Sequence, residues 1–79
     1  MTVFHLNLFD DAFVHDCEGI EMADLQAATA YAVLGARQMI AETIFAGDIV
    51  RENHRIEIAD DAGRLLRTVR FGDTFCTAP

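Results

Sequence analysis

Arg55-Ile56-Glu57-Ile58-Ala59-Asp60-Asp61-Ala62-Gly63-Arg64-Leu65-Leu66-Arg67-Thr68-Val69-Arg70-Phe71 decides the fold. Two runs of alternating apolar residues flank Asp60-Asp61-Ala62-Gly63, a group suited to tight reversal because Asp bonds its own backbone and Gly accepts positive φ. The stretch therefore predicts a β-hairpin. In its first arm Ile56 and Ile58 face a core while Arg55 and Glu57 face out. In its second arm Leu65, Val69 and Phe71 share one face, interrupted by Arg67, and Leu66, Thr68 and Arg70 take the other.

Upstream, Asp48 to Asn53 reads as a connecting loop with a short extended piece at Ile49-Val50. Before it lies an alanine-rich run from Leu25 to Phe45, whose composition predicts one long helix. Asp24 is placed to cap its first N–H groups, Met22 to staple onto the first turn, and Gly47 to end it. Leu25, Ala28, Ala32, Ala36, Met39, Ile40 and Thr43 recur at helical spacing, a mostly small face suited to lying close on a sheet. A second stripe contains Tyr31, Leu34, Gln38 and Phe45. It makes the helix more apolar than one buried face requires, so Tyr31, Leu34 and Phe45 are candidate contact residues.

At the start of the chain, Phe4, Leu6 and Leu8 alternate with Val3, His5 and Asn7, which predicts a strand from Val3 to Phe9. Asp10-Asp11 signals a turn, Ala12 to His15 a short return strand, and Asp16-Cys17-Glu18-Gly19 a second reversal. His5 falls on the open side of the sheet and joins the candidate interaction residues. Together these elements predict one α+β domain over residues 1–79, with residues 73–79 as a fraying tail. It has two layers: an antiparallel sheet of three to four strands, and one helix on one face, in β(β)αββ order. The expected core is Phe4, Leu6, Leu8, Leu25, Ala28, Ala32, Ala36, Ile40, Ile56, Ile58, Val69 and Phe71.

Composition narrows the function. A chain of 79 residues builds one modest core and no deep cleft. Thirteen acidic residues against six arginines, with no lysine, give a net charge of −7, which opposes binding to nucleic acid or an anionic membrane and favours basic partners. No run reaches the ~18–20 apolar residues of a membrane span. Met1-Thr2-Val3-Phe4-His5 lacks the basic region of a signal peptide, and two distant cysteines without a Cys-x-x-Cys pair read as free thiols. The expected setting is the cytoplasm.

Several short patterns occur in order: Asp16-x-Glu18-Gly19-x-Glu21, Asp24-Leu25-Gln26-Ala27-Ala28, Ile56-Glu57-Ile58-x-Asp60-x-x-Gly63 and Val69-x-Phe71-x-Asp73, with His5 in the first strand. In this the chain resembles the small bacterial proteins of domain of unknown function 6894, common in alphaproteobacteria. The resemblance spans nearly the whole chain and implies a compact α/β domain in a bacterial cytoplasm. It implies no activity. Ala23 stands where a proline often precedes the capping Asp, which leaves the start of the helix less fixed. A looser, topological likeness is to the antitoxin half of toxin–antitoxin pairs of the HicB kind, whose acidic balance suits inhibition of a basic partner.

Residue chemistry offers little to a catalyst. The chain contains no serine. Cys17 sits among carboxylates that disfavour its thiolate, and no glycine-rich phosphate loop or calcium-loop pattern occurs. His15-Asp16-Cys17-Glu18 is the densest group of potential zinc ligands. Successive residues of an extended loop point in opposite directions, so a site there needs His5 or His54 from elsewhere. The reading is therefore no catalytic residues, no cofactor and no metal. It favours a non-catalytic interaction or structural module, a homodimer, with an acidic inhibitor of a basic protein partner as the alternative.

Overall fold

The structure is a computed structural model that describes residues 1–78. An antiparallel sheet carries one helix on one face, as the alternation patterns predict. The strands are β1 (Thr2–Phe9), β2 (Phe13–Val14), β3 (Ile20–Met22), β4 (Arg55–Ala59) and β5 (Leu65–Arg70), with the helix α1 (Leu25–Phe45) between β3 and β4. The sheet order is β2-β1-β4-β5, and β3 also pairs with β1. Five strands form rather than three or four. The additional one, β3, is three residues long, too short to declare a period in sequence.

β2 and β3 form an interrupted return strand along β1. Leu8 pairs with Val14 and Phe4 with Ile20, so four steps of β1 face six steps of the return chain. The two surplus residues leave the ladder in the 15–19 segment, which is where the acidic loop lies. β1 also pairs with β4, placing Leu6 against Ile58 and Leu8 against Ile56. The hairpin turns through Gly63, whose φ of 83° is the left-handed conformation that follows a type I turn in a three-residue loop. Asp60 closes that turn, accepting from the N–H groups of Ala62 and Arg64 on its side chain and from Gly63 on its carbonyl.

The helix begins and ends where its capping residues dictate. Asp24 accepts from the Ala27 N–H at 2.8 Å. At the other end Gly47 N–H bonds to the Ile44 carbonyl and Asp48 N–H to that of Thr43, the paired arrangement of a Schellman motif. Ala28, Ala32, Ala36 and Ile40 form the buried face. They meet Phe4, Ile56, Ile58, Val69 and Phe71, with Leu6, Leu8 and Leu25 half-buried against this core. Small helix residues bring the backbone close to the sheet, and the wholly buried Ile58 fills the centre.

Three sequence expectations need correction. Leu65 does not share a face with Val69: it is 53% exposed, while Leu66 packs on the core. A register shift between Ile58 and Ala59 pairs Ile58 with Arg67 but Ala59 with Leu65, leaving Leu66 as a bulge residue that resets the alternation. The tail is also docked further than its polarity implies. Phe71–Asp73 forms a short 3-10 helix, Thr74 is buried, and its carbonyl accepts from Arg37 Nε at 2.7 Å. Phe75 packs against the core, whereas Cys76 is exposed and Pro79 lies outside the described residues. The extended piece expected at Ile49-Val50 is loop without strand pairing.

Candidate functional site: a histidine clamp and an outward helix face

His5 stands on the sheet face opposite the helix, directly across from Ala59. Its Nδ1 lies 2.7 Å from the Asp16 carbonyl and its Nε2 lies 2.7 Å from Asp61 Oδ1. Both partners are acceptors only, so the imidazolium satisfies the arrangement by donating from both nitrogens. Its pKa is raised, first by the bond to Asp61 and next by that to the Asp16 carbonyl, against a lowering by burial. The ring therefore ties three segments together: β1, the acidic loop and the turn of the β4–β5 hairpin.

Asp16 holds the loop from the other side. Oδ2 accepts from the Leu6 N–H at 3.1 Å and Oδ1 from the Gly19 N–H at 3.0 Å, while its own N–H donates to Asn7 Oδ1. The carboxylate thus replaces the ladder partners that the interrupted return strand withdraws. Burial works to raise its pKa, but the bonds from Leu6 and Gly19, with the His5 charge, outweigh it and hold the carboxyl below its ordinary value. Gly19 is needed for this closeness. Its φ is 75°, and a Cβ there would lie 2.6 Å from Val3 and 3.1 Å from His5.

The remaining potential ligands scatter. His15 lies beside Phe13, Cys17 is exposed, and His54 packs edge-on to Phe71 and lies 3.5 Å from Asp11. Among the described residues no group of three or more His, Cys, Asp or Glu side chains gathers within metal-binding reach. The open sheet face carries a row running Phe13, Phe9, Arg55, Arg70 across all four strands of the sheet path. Arg55 sits 4.3 Å above the Phe9 ring and bonds Glu57 at 2.8 Å, so its charge is already met.

On the far side of the molecule α1 turns its second stripe to solvent. Tyr31 is 50% exposed, Leu34 64% and Phe45 95%. The three contact candidates on the helix thus share one surface, and the fourth, His5, lies on the opposite face of the sheet with little of its ring open. Ile44, 63% exposed, belongs with the helix residues and was not singled out by the stripe because it sits at its margin. Among the described residues no helix is long and apolar enough to cross a membrane. Asp61 was legible only as a turn residue, since nothing local signals a partner 56 positions away.

The chain matches no curated protein and no solved structure. It does match, over residues 3–72, the family described as a domain of unknown function (DUF6894), a span that takes in the clamp histidine, the acidic loop, the capped helix and the hairpin. The chain belongs to that family.

Proposed function

We propose that this protein is a small interaction module without catalysis of its own, and that it works by associating with a second copy through the outward face of α1. The observation that carries the reading is the exposure of Tyr31, Leu34 and Phe45 along one side of a helix, with exposed Ile44 at its margin. Contiguous apolar surface of this kind is uncommon on a monomer and marks contact sites. Charge supports it as well: of thirteen acidic residues only Glu42 lies within α1, and Arg37 is its only cation. The face is therefore spared the repulsion that a net charge of −7 imposes elsewhere.

The non-catalytic part rests on the side chains available. Both nitrogens of His5 are engaged, so His5 offers no free base, and both cysteines are exposed. Light scattering over a rising concentration series tests self-association. A mass climbing to twice the 8.8 kDa chain supports the reading, and 8.8 kDa at millimolar concentration refutes it.

One observation favours a basic protein partner as a second reading. An open groove of about 850 Å³ at the C-terminal end of α1 is lined by Asp10, Asp11, Glu42 and Asp48, against Arg51 and His54. The negative end of the helix dipole adds to that field. Binding of a basic protein recovered from the native host, weakened by Asp10→Asn with Asp11→Asn, would favour it. Indifference to those substitutions would set it aside.

A further inference from the structure

The outward face of α1 has a regular spacing of its own. Ala27, Tyr31, Leu34, Gln38, Ala41 and Phe45 follow one another at intervals of four, three, four, three and four. That is the seam of a heptad repeat, lying diametrically opposite the buried Ala28–Ala32–Ala36–Ile40 face. A monomer gains nothing from a second seam. Each aromatic in it has an alanine beside it along the seam, Tyr31 next to Ala27 and Phe45 next to Ala41, while Leu34 and Gln38 fill the middle.

Resting on the reading that this face is the contact surface, we infer that α1 pairs with α1 of a second copy in antiparallel orientation, about a two-fold axis at the level of Ala36. In this register each aromatic meets an alanine, and the two middle residues meet each other. Phe45 lies on the partner's Ala27, Tyr31 on the partner's Ala41, and Leu34 beside the partner's Gln38. At the margin Ile44 falls toward the partner's Ala30. A parallel, in-register pair would instead set phenylalanine on phenylalanine, tyrosine on tyrosine and alanine on alanine. It would bulge at the aromatic levels and gape at the alanine levels, which close packing penalises.

Three further observations point the same way. Gly35 sits in the middle of the helix, where glycine is unfavourable relative to alanine, yet a Cβ added there meets nothing within 4 Å. Its own chain gives no packing reason for it. In the antiparallel register it flanks the axis, facing the partner's Gly35, where the lack of a side chain lets two helices approach. Gln38 is the one polar member of the seam. Two copies of it lie about 6 Å apart along the helix axis, four residues at ~1.5 Å each, close enough for their amides to bond across the two-fold. Antiparallel helices also set each positive dipole end beside a negative one.

The area is adequate. Tyr31, Leu34, Ile44 and Phe45 offer on the order of 500 Å² per chain given their exposure, hence about 1,000 Å² for the pair, the lower bound for a specific interface. Arg37 does not intrude, since its guanidinium is held to the Thr74 carbonyl of its own chain.

Disulfide trapping in a Cys17→Ala/Cys76→Ala background, itself first shown to retain the dimer mass, tests the orientation. Chains carrying Ala27→Cys are mixed with chains carrying Phe45→Cys and oxidised with glutathione disulfide. The antiparallel register predicts the mixed 27–45 disulfide in at least tenfold excess over either like pair. Predominant 27–27 and 45–45 disulfides overturn this inference while leaving the contact face intact. A dimer mass without either pattern overturns it in favour of another surface. A monomer mass in the background variant and the unsubstituted chain alike defeats the underlying reading itself.

Discussion

The two faces of α1 are built from similar residues to different ends. On the inner face alanine recurs at 28, 32 and 36, and each is essentially inaccessible. Those small side chains set the distance to the sheet, and the bulk comes from the strands, above all Ile58. On the outer face alanine recurs again, at 27 and 41, beside the exposed Tyr31 and Phe45. The inner pattern is explained within one chain; the proposed antiparallel pairing with a second copy accounts for the outer one. The comparison separates residues that make the fold from residues that use it.

The largest effect should come from the inner side. Ile58→Ala removes the central wholly buried side chain beneath the helix and should cost about 3 kcal/mol of unfolding free energy, read by urea denaturation. Leu34→Glu on the outer side should leave monomer stability within about 0.5 kcal/mol. If both changes destabilise the monomer equally, the division between the faces fails.

Asp16→Ala should rank next, at about 2 kcal/mol, because the Leu6 and Gly19 N–H groups lose their acceptor in a partly buried position. Loss of amide hydrogen-exchange protection at Leu6 should accompany it, with protection along α1 retained.

Much of this was legible in sequence and some of it was not. The hairpin, the capped helix and its two stripes follow from periods and turn chemistry that act over a few residues. The extra strand β3, the bulge at Leu66 and the docking of Thr74 and Phe75 do not, since each depends on pairing or packing between distant segments. The clamp shows the limit most clearly. His5 reads as an open-face residue and Asp61 as a turn former, and only the closure of β1 on β4 brings them to 2.7 Å. Tyr31, Leu34 and Phe45 were visible as a surplus stripe. The alanines that complete the seam were hidden among others serving propensity.

A smaller effect, of opposite sign on the two sides, is expected at Gly35. Gly35→Ala should stabilise the isolated chain by about 0.5–1 kcal/mol through helix propensity, since the added methyl meets open space. The same methyl should weaken the dimer. A thermal melt on a monomeric Leu34→Glu background, set against light scattering of the single variant, reads both.

The smallest effect concerns pH. His5 has a raised folded pKa, so its contribution is complete below the ordinary imidazole value of 6.5 and is lost as pH rises through the folded value. Asp16 has a lowered one, so its contribution is present above the ordinary 3.8 and is lost as pH falls through the folded value. Stability should therefore be greatest between those two values. His5→Gln should remove the decline on the alkaline side and, by taking away the His5 charge that helps hold the Asp16 carboxyl low, weaken the acid limb to a lesser extent. Melting temperatures from about pH 2 to about pH 8, a range that spans both limbs, check this.

The most direct test of the central claim sets the outward face of α1 against the exposed edge at β2, where Phe13 is 56% exposed and a sheet could pair instead. Sedimentation equilibrium of the unsubstituted chain, Leu34→Glu and Phe13→Glu at one concentration decides between them. The account predicts a dimer for the unsubstituted chain and for Phe13→Glu, and the 8.8 kDa monomer for Leu34→Glu. A dimer that survives Leu34→Glu and is split by Phe13→Glu would contradict it.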